Sequence, residues 1–368
     1  MLIKFEVTNF KNFENTFTFD FTDTKSYAFN SKCVQDKVVS KALIYGQNGV
    51  GKSNLGFAMF DLVSHLTSKN SGTENYQIYL NALSDNKLAE FVYVFKFGEQ
   101  TLEYRYGKSS ERALVYEKLS VDGIEYISID RQVSSTATIN LEGTENLKKD
   151  LSNSQISLVA YVKNNAILAT DTVNSCFDAF VKFIDGMLLF RSLNNSFIGF
   201  EESGFKIEAD IVNRGNLQDF QTFLNDAGVD CQLKFMVVKG VISIVFVFGR
   251  THIPFYDIAS TGTKSLALFY AWLQRVKSSN ASFVFIDEFD AYYHQSLSAL
   301  LIEKLRTIQP QVVLTTHNTS LMTNDLLRPD CYFLMNNKEI KSLANRTRKE
   351  LRFAHNIEKM YKAGTFGV

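Results

Sequence analysis

Residues 46–53 read Gly46-Gln47-Asn48-Gly49-Val50-Gly51-Lys52-Ser53. Ala42-Leu43-Ile44-Tyr45 precedes them, and Leu55, Ala58, Met59, Leu62 and Leu66 recur behind them at helical spacing. An apolar run, a glycine-rich loop and a helical stripe predict strand, loop and helix, the helix reaching about Thr67. Gly46, Gly49 and Gly51 let the backbone take positive φ and approach a ligand closely. The helix start then aims free N–H groups and a positive dipole end into the loop. Such a loop suits a polyphosphate: Lys52 is expected to reach the β- and γ-phosphates and Ser53 to hold Mg²⁺. A chance glycine-rich turn would account for the composition, but not for the strand before it and the helix after it.

A matching acidic motif lies downstream. Phe283-Val284-Phe285-Ile286-Asp287-Glu288 is an apolar strand ending in two carboxylates. Open α/β sheets place ligand chemistry at such strand ends. Asp287 is therefore expected to bind Mg²⁺, directly or through water, and Glu288 to orient or polarise an attacking water. The plain alternative for Glu288 is surface charge. His317 follows a second apolar strand, Val312-Val313-Leu314-Thr315-Thr316, where an imidazole could touch a γ-phosphate and sense its loss. A lone histidine is more often structural, so the weight rests on its position. Ser260-Thr261-Gly262-Thr263-Lys264 opens an apolar helix expected over 264–277. Ser260 and Gly262 there make either a second anion-binding surface or an ordinary helix cap.

The remaining chain bounds the fold. Its 368 residues can bury one large core or two smaller ones. The formal net charge is +0, which excludes a global basic field but leaves room for a local patch. Lys338, Lys341, Arg346, Arg348, Lys349 and Arg352 form one such stretch, diluted by Glu339 and Glu350, and read either as a phosphate contact or as a solvated face. No apolar run is long enough to span a bilayer, and Met1-Leu2-Ile3-Lys4-Phe5 reads as a strand and not as a secretory leader. Cys33, Cys176, Cys231 and Cys331 are scattered, with no CxxC pair, predicting reduced thiols in the cytoplasm and no zinc or disulfide frame.

Alternation predicts strands at 2–8 and 16–22, a hairpin from 91–97 and 102–106, and another from 114–121 and 124–129 turned by Asp122-Gly123. Residues 68–90 carry no clear period, and 132–154 read as a loop. From 155 to 230 the period is helical: Val173, Phe177, Phe180, Val181 and Ile184 share one face, and Leu217, Phe220 and Leu224 mark a second helix stopped near Gly228. A hairpin of 233–238 and 241–248 with a Lys239-Gly240 turn follows, then a helix at 294–307 after the acidic strand.

The order of glycine loop, Ser-Thr-Gly-Thr-Lys, Ile-Asp-Glu and Thr-His resembles the ABC-type ATPase heads of the SMC, RecF and OLD-like class. Asn9-Phe10-Lys11-Asn12-Phe13 is similar to their opening motif, and the stretch from Asn356 to Gly367 resembles the tail of small AAA-type bacterial ATPases related to phage-defence and abortive-infection proteins. The resemblance implies an α/β fold: a P-loop NTPase with an ABC-type head of mixed sheet plus antiparallel β lobe, and a short helical insert. It divides the chain into 1–150, the first part of the head, 151–232, the insert, and 233–368, the second part.

The same resemblance implies ATP with Mg²⁺, hydrolysis to ADP and phosphate, and a homodimer, or a larger ring, closed around two nucleotides. Lys11, Asn12, Asn48, Gly49, Gly51, Lys52, Ser53 and Asn54 would then line the nucleotide, with Ser53 and Asp287 on the metal and Lys52, Glu288 and His317 catalytic. Ser260 and Gly262 of one protomer would complete the site of the other, with Asp290-Ala291 at the interface. The signature departs from the LSGGQ of transporters, and no Q-loop is recognisable. With Val368 coming soon after the last head elements, any effector is expected on a separate chain; the alternatives are a RecF-like DNA-repair head or, less well matched, a transporter subunit.

Overall fold

The computed structural model describes residues 1–69, 76–152, 154–193, 196–199, 206–238, 240–278 and 280–367. It divides into two compact units. One comprises Met1–Glu201, Ala281–Phe289 and Pro310–Val368; the other comprises Glu202–Asn280 and Asp290–Gln309.

The first unit begins with β1 (Leu2–Thr8), β2 (Phe17–Asp20), a small ribbon of β3 (Val34–Gln35) and β4 (Val38–Val39), and β5 (Lys41–Tyr45). Helices α1 (Lys52–Phe60) and α2 (Val63–Leu66) follow. The single long helix expected to reach Thr67 is thus interrupted after Phe60. A meander of β6 (Ala89–Phe97), β7 (Gln100–Ser110), β8 (Ala113–Val121), β9 (Ile124–Asp130) and β10 (Thr138–Ile139) comes next. Then come α3 (Leu158–Asn165), α4 (Thr172–Asp185), β11 (Met187–Arg191) and β12 (Ser196–Ile198).

The chain crosses into the second unit with α5 (Ile207–Asn213), α6 (Leu217–Asp226), β13 (Leu233–Val238), β14 (Val241–Phe248), β15 (Thr251–Pro254), α7 (Phe255–Ile258) and α8 (Thr261–Ser278). It returns through β16 (Phe283–Asp287), revisits the second unit as α9 (Gln295–Arg306), and ends in the first with β17 (Gln311–Thr316), β18 (Tyr332–Met335), β19 (Ile340–Ser342) and α10 (Ile357–Lys362).

The first unit contains two seven-stranded sheets. One is antiparallel, in the order β10-β9-β8-β7-β6-β1-β2. The other runs β12-β11-β16-β17-β5-β18-β19, parallel through its five central strands and antiparallel at both edges. The parallel strands are near-continuous apolar runs because both of their faces are covered; β5 and β16 are buried at every position.

Helices α1 and α4 lie between the sheets. A Cβ on Gly56 of α1 would stand 2.9 Å from the Phe285 ring and 3.1 Å from Leu189, so glycine sets how closely this helix approaches β16 and β11. On α4, Phe183 packs on Phe95 of β6 at 5.1 Å and on Phe283 of β16 at 6.3 Å. Asp171 caps that helix by accepting a bond from the Asn174 N–H at 2.7 Å. The Gln311 side chain ties β17 to β1, accepting from the Leu2 N–H at 3.1 Å and donating to the Leu2 carbonyl at 3.0 Å.

A closed polar cluster sits at the far end of α1. Asp61, the residue after its last turn, is 0% exposed and pairs with Lys108 of β7, 1% exposed, at 2.8 Å. The hydroxyls of Tyr79 and Tyr106 donate to the same carboxylate at 3.0 and 2.8 Å. A carboxylate at a helix C-terminus faces the negative end of the dipole; here the ammonium and two hydroxyls offset that and the cost of desolvation.

The expected strands and hairpins are present, with Asp122 at φ 49 and Gly123 at φ 81 turning β8 into β9. The stretch expected to be helical throughout contains β11, which lies in the parallel sheet beside β16. Its residues Met187-Leu188-Leu189-Phe190 carry no alternation, because the strand is covered on both faces. The hairpin of the second unit gains a third strand, β15; Lys239 of its expected turn lies outside the described residues.

Candidate nucleotide site

The parallel sheet gathers the chemistry at one edge. The C-terminal ends of β5, β16, β17 and β11 lead to the glycine loop, Asp287-Glu288, His317 and Arg191 in turn. Register fixes this: Thr316 is level with Tyr45, Ile286 with Leu314, and Arg191 with Asp287. The fold alone therefore brings together residues far apart in the chain.

The loop has the backbone that its glycines allow. Gly49 has φ 83 and Gly51, at the start of α1, has φ 98. A side chain on Gly51 would also stand 2.4 Å from the Asn12 amide. Gln47, Asn48 and Gly49 are exposed, and Ser53 and Asn54 are half-buried on the first turn of the helix. Asn12 stands against the loop, donating to the Val50 carbonyl at 3.3 Å and accepting from Asn54 Nδ2 at 2.7 Å. It is presented by a tight turn in which Phe10 and Phe13 are buried and Asn9 and Lys11 take φ 55 and 48.

Lys52 is 6% exposed. Its ammonium donates to the carbonyls of Gly46 at 2.9 Å and Gln47 at 3.3 Å, and lies 2.9 Å from Nε2 of His317. Burial lowers its pKa, against the charges of Glu288 and Asp287, which raise it. His317 is in turn 4.0 Å from Glu288.

Thr315 organises the acidic pair. Its buried hydroxyl donates to Asp287 Oδ1 at 2.8 Å and accepts the Glu288 N–H at 2.8 Å. Glu288 has φ 50, a left-handed conformation uncommon for a non-glycine residue. Its carboxylate leaves the buried strand through that bend, next to His317.

Three features of this edge escaped the sequence reading. Thr315 was only a strand residue, Arg191 ended an unrecognised strand, and the Glu288 bend carries no compositional sign. The arginine closing a run of four apolar residues was the one available signal for Arg191.

Ser260 and Gly262 belong to the second unit. Ser260 Oγ accepts the Thr263 N–H at 3.1 Å as the cap of α8, and Gly262 lies in its first turn, where an added Cβ would stand 3.4 Å from the Tyr292 carbonyl. Asp290-Ala291 falls in the same unit. Near the C-terminus the basic stretch is laced with ion pairs: Lys341 and Arg346 meet Glu339 at 2.6 and 3.1 Å, and Arg352 meets Glu350 at 2.9 Å.

Oxygen donors from Ser53 and Asp287 suit a magnesium ion, which takes one or two carboxylates together with substrate phosphates. Among the described residues no group of three or more His, Cys, Asp or Glu forms a metal cluster of its own, and no helix is long and apolar enough to cross a membrane.

No curated protein matches the chain. Among solved structures it is similar to an SMC head domain from Thermotoga maritima, at 14% identity and a TM-score of 0.45, covering 93% of this chain and 98% of that one. It is also similar to an Smc head bound to the C-winged helix domain of ScpA, at 14% identity and a TM-score of 0.47, covering 93% and 97%. A third similar structure is an Smc head with an extended coiled coil bound to the C-terminal domain of ScpA, from Pyrococcus furiosus, at 13% identity and a TM-score of 0.46, covering 94% and 97%. Residues 41–323, from β5 past His317, match the family described as "AAA domain, putative AbiEii toxin, Type IV TA system". The chain belongs to this AAA-domain family.

Proposed function

We propose that the chain binds ATP with Mg²⁺, hydrolyses it to ADP and phosphate, and uses the cycle as a switch between open and closed assemblies. The observation that carries this is the convergence of Lys52, His317, Glu288 and Asp287 at one sheet edge: Lys52 lies 2.9 Å from His317, His317 4.0 Å from Glu288, and the Thr315 hydroxyl bonds both Asp287 and the Glu288 N–H at 2.8 Å. Lys52 is bound there by two carbonyls and an imidazole, partners that an incoming phosphate can displace. It would take the β/γ-phosphates, with Asn48, Gly49, Gly51 and the α1 amides around them and Lys11, Asn12 and Asn54 alongside. Magnesium, held by Ser53 and Asp287, would neutralise charge on the phosphate oxygens. Glu288 would orient the attacking water and accept its proton, and His317 would sense the γ-phosphate.

Ser260 and Gly262 would act in trans on a second protomer, so that each nucleotide completes an interface that hydrolysis weakens. The biological role we favour is the sensor or regulator of a bacterial anti-phage defence system acting on a separately encoded effector, a nuclease among the options. The family description, with its toxin and Type IV system, supports that setting. The region 155–230 is our candidate for partner or trigger contacts. A RecF-like DNA-repair head is the second reading; the ion pairs of Glu339 and Glu350 with the basic stretch make it the weaker one.

The test is Glu288→Gln, sized by light scattering with and without ATP and magnesium. The variant should keep nucleotide and accumulate a dimer or larger assembly while losing turnover. No change in size for either form, and no hydrolysis by the wild type, would sink the switch.

A further inference from the structure

The register of β16 on β17 pairs Ile286 with Leu314, which sets Thr315 level with Asp287. At that point the chain leaves the sheet. Asp287 is the last residue of β16, and Glu288 takes φ 50. Thr315 holds this exit with both its side chain and its backbone. Its hydroxyl donates to Asp287 Oδ1 at 2.8 Å, the Glu288 N–H donates to the same hydroxyl oxygen at 2.8 Å, and the Phe289 N–H donates to the Thr315 carbonyl at 3.2 Å. A backbone N–H can only donate, so the hydroxyl oxygen must accept from Glu288, and its single proton is left for Asp287. A non-glycine residue persists in the left-handed region only where its surroundings hold it there. Here part of the hold is one hydroxyl on a fully buried residue. A valine would fill the same space and supply neither side-chain contact.

We propose that Thr315 is a positioning residue: its hydroxyl holds Glu288 in the left-handed bend from which the carboxylate meets the attacking water, and ties that bend to Asp287. The role rests on the reading of Glu288 as the water-orienting group. Thr315 itself touches no nucleotide in this scheme. Loss of the hydroxyl therefore falls on turnover and not on binding, because Lys52, Ser53 and the loop amides stay in place.

The experiment measures kcat and KM for ATP hydrolysis, and equilibrium binding of an ATP analogue with a nitrogen β–γ bridge, on the full chain with magnesium. Wild type is compared with Thr315→Val, Thr315→Ser, Glu288→Gln and the double variant Glu288→Gln with Thr315→Val. Thr315→Val should lower kcat about tenfold to a hundredfold while analogue affinity stays within about twofold. Thr315→Ser keeps the hydroxyl and should recover most of the rate. In the Glu288→Gln background, Thr315→Val should change the residual rate by less than about twofold, since a carboxylate already removed cannot be misplaced. Thr315→Ala carries the same comparison if Thr315→Val does not fold. An unchanged kcat, an equal loss in Thr315→Ser, or an analogue affinity weakened about tenfold overturns the positioning role and leaves the ATPase reading standing. A wild type that hydrolyses nothing overturns both.

Discussion

Helix α1 has ionisable groups at its two ends, and the protein treats them in opposite ways. At the N-terminal end Lys52 is held by carbonyls and by His317, none of which carries a formal negative charge. At the C-terminal end Asp61 is sealed beneath Lys108, Tyr79 and Tyr106, with both ions at 1% exposure or less. Eight residues of helix lie between a charge open to a ligand and a neutralised one. A buried ion with its counter-ion in place is a structural element whose loss is costly. A buried cation whose hydrogen-bond partners are neutral, and whose neighbouring carboxylates Glu288 and Asp287 act only through space, is poised for a ligand and contributes little to folding. The two ends thus separate stability from binding on a single element.

The sharpest way to break this contrast is Lys108→Met. It leaves the Asp61 carboxylate buried without its ammonium and should cost about 3–5 kcal/mol in urea unfolding. Where the variant is still folded, nucleotide affinity should stay near wild type. An unfolding free energy within about 1 kcal/mol of wild type would show that the closed end is not structural in this sense.

Lys52→Ala should do the reverse. We expect at least about a hundredfold loss of nucleotide affinity, about 2.7 kcal/mol, because a charge-assisted contact to phosphate is removed. Its melting temperature should match or exceed that of wild type, since a desolvated ammonium is removed. A marked drop in melting temperature would erase the distinction between the two ends.

Gly51→Ala probes the open end through its backbone. With φ 98 and Asn12 at 2.4 Å from the added methyl, it should cost about 1–3 kcal/mol of local strain and weaken binding. Asn12→Ala in the same chain should relieve the crowding but not the strain of the positive φ. Full restoration by the double variant would mean that the conformation itself is not required.

The smallest effect is a pH dependence at the closed end. His65 is enclosed, with Nε2 2.9 Å from the Tyr104 hydroxyl, and burial, then the Lys108 charge, hold its pKa well below the ordinary 6.5. The unfolded chain takes up a proton below that pH and the folded one does not. Stability should therefore fall as pH drops through about 6.5, by at most about 1.4 kcal/mol per unit from this residue. Comparing urea unfolding of wild type and His65→Gln at pH 7.5 and 5.5 isolates it. Equal pH slopes in the two would show that His65 does not contribute.

The open end was far more legible than the closed one. Lys52 and Ser53 close a glycine loop behind an apolar strand, and Asp287, Glu288 and His317 stand at or just past the ends of apolar strands, so each belongs to a short local pattern. The Asp61 cluster has no such sign. Asp61, Tyr79, Tyr106 and Lys108 come from a helix end, a loop and β7, and nothing in their spacing predicts that one carboxylate will gather them. Arg191 was lost for a related reason: β11 lies inside a stretch whose dominant period is helical, and a fully covered strand shows no alternation.

The sequence by itself determined the loop, the apolar strands that end at the site, the antiparallel meander and most helices, because each depends on residues within a turn or a strand of one another. Only the tertiary structure decided the strand order β11-β16-β17-β5, and with it the placing of Arg191 beside Asp287, of Thr315 between two acids and of Lys52 against His317. Those contacts join residues tens to hundreds of positions apart. They exist because parallel strands in register bring their C-terminal ends to one edge, a property of the sheet that no single segment carries.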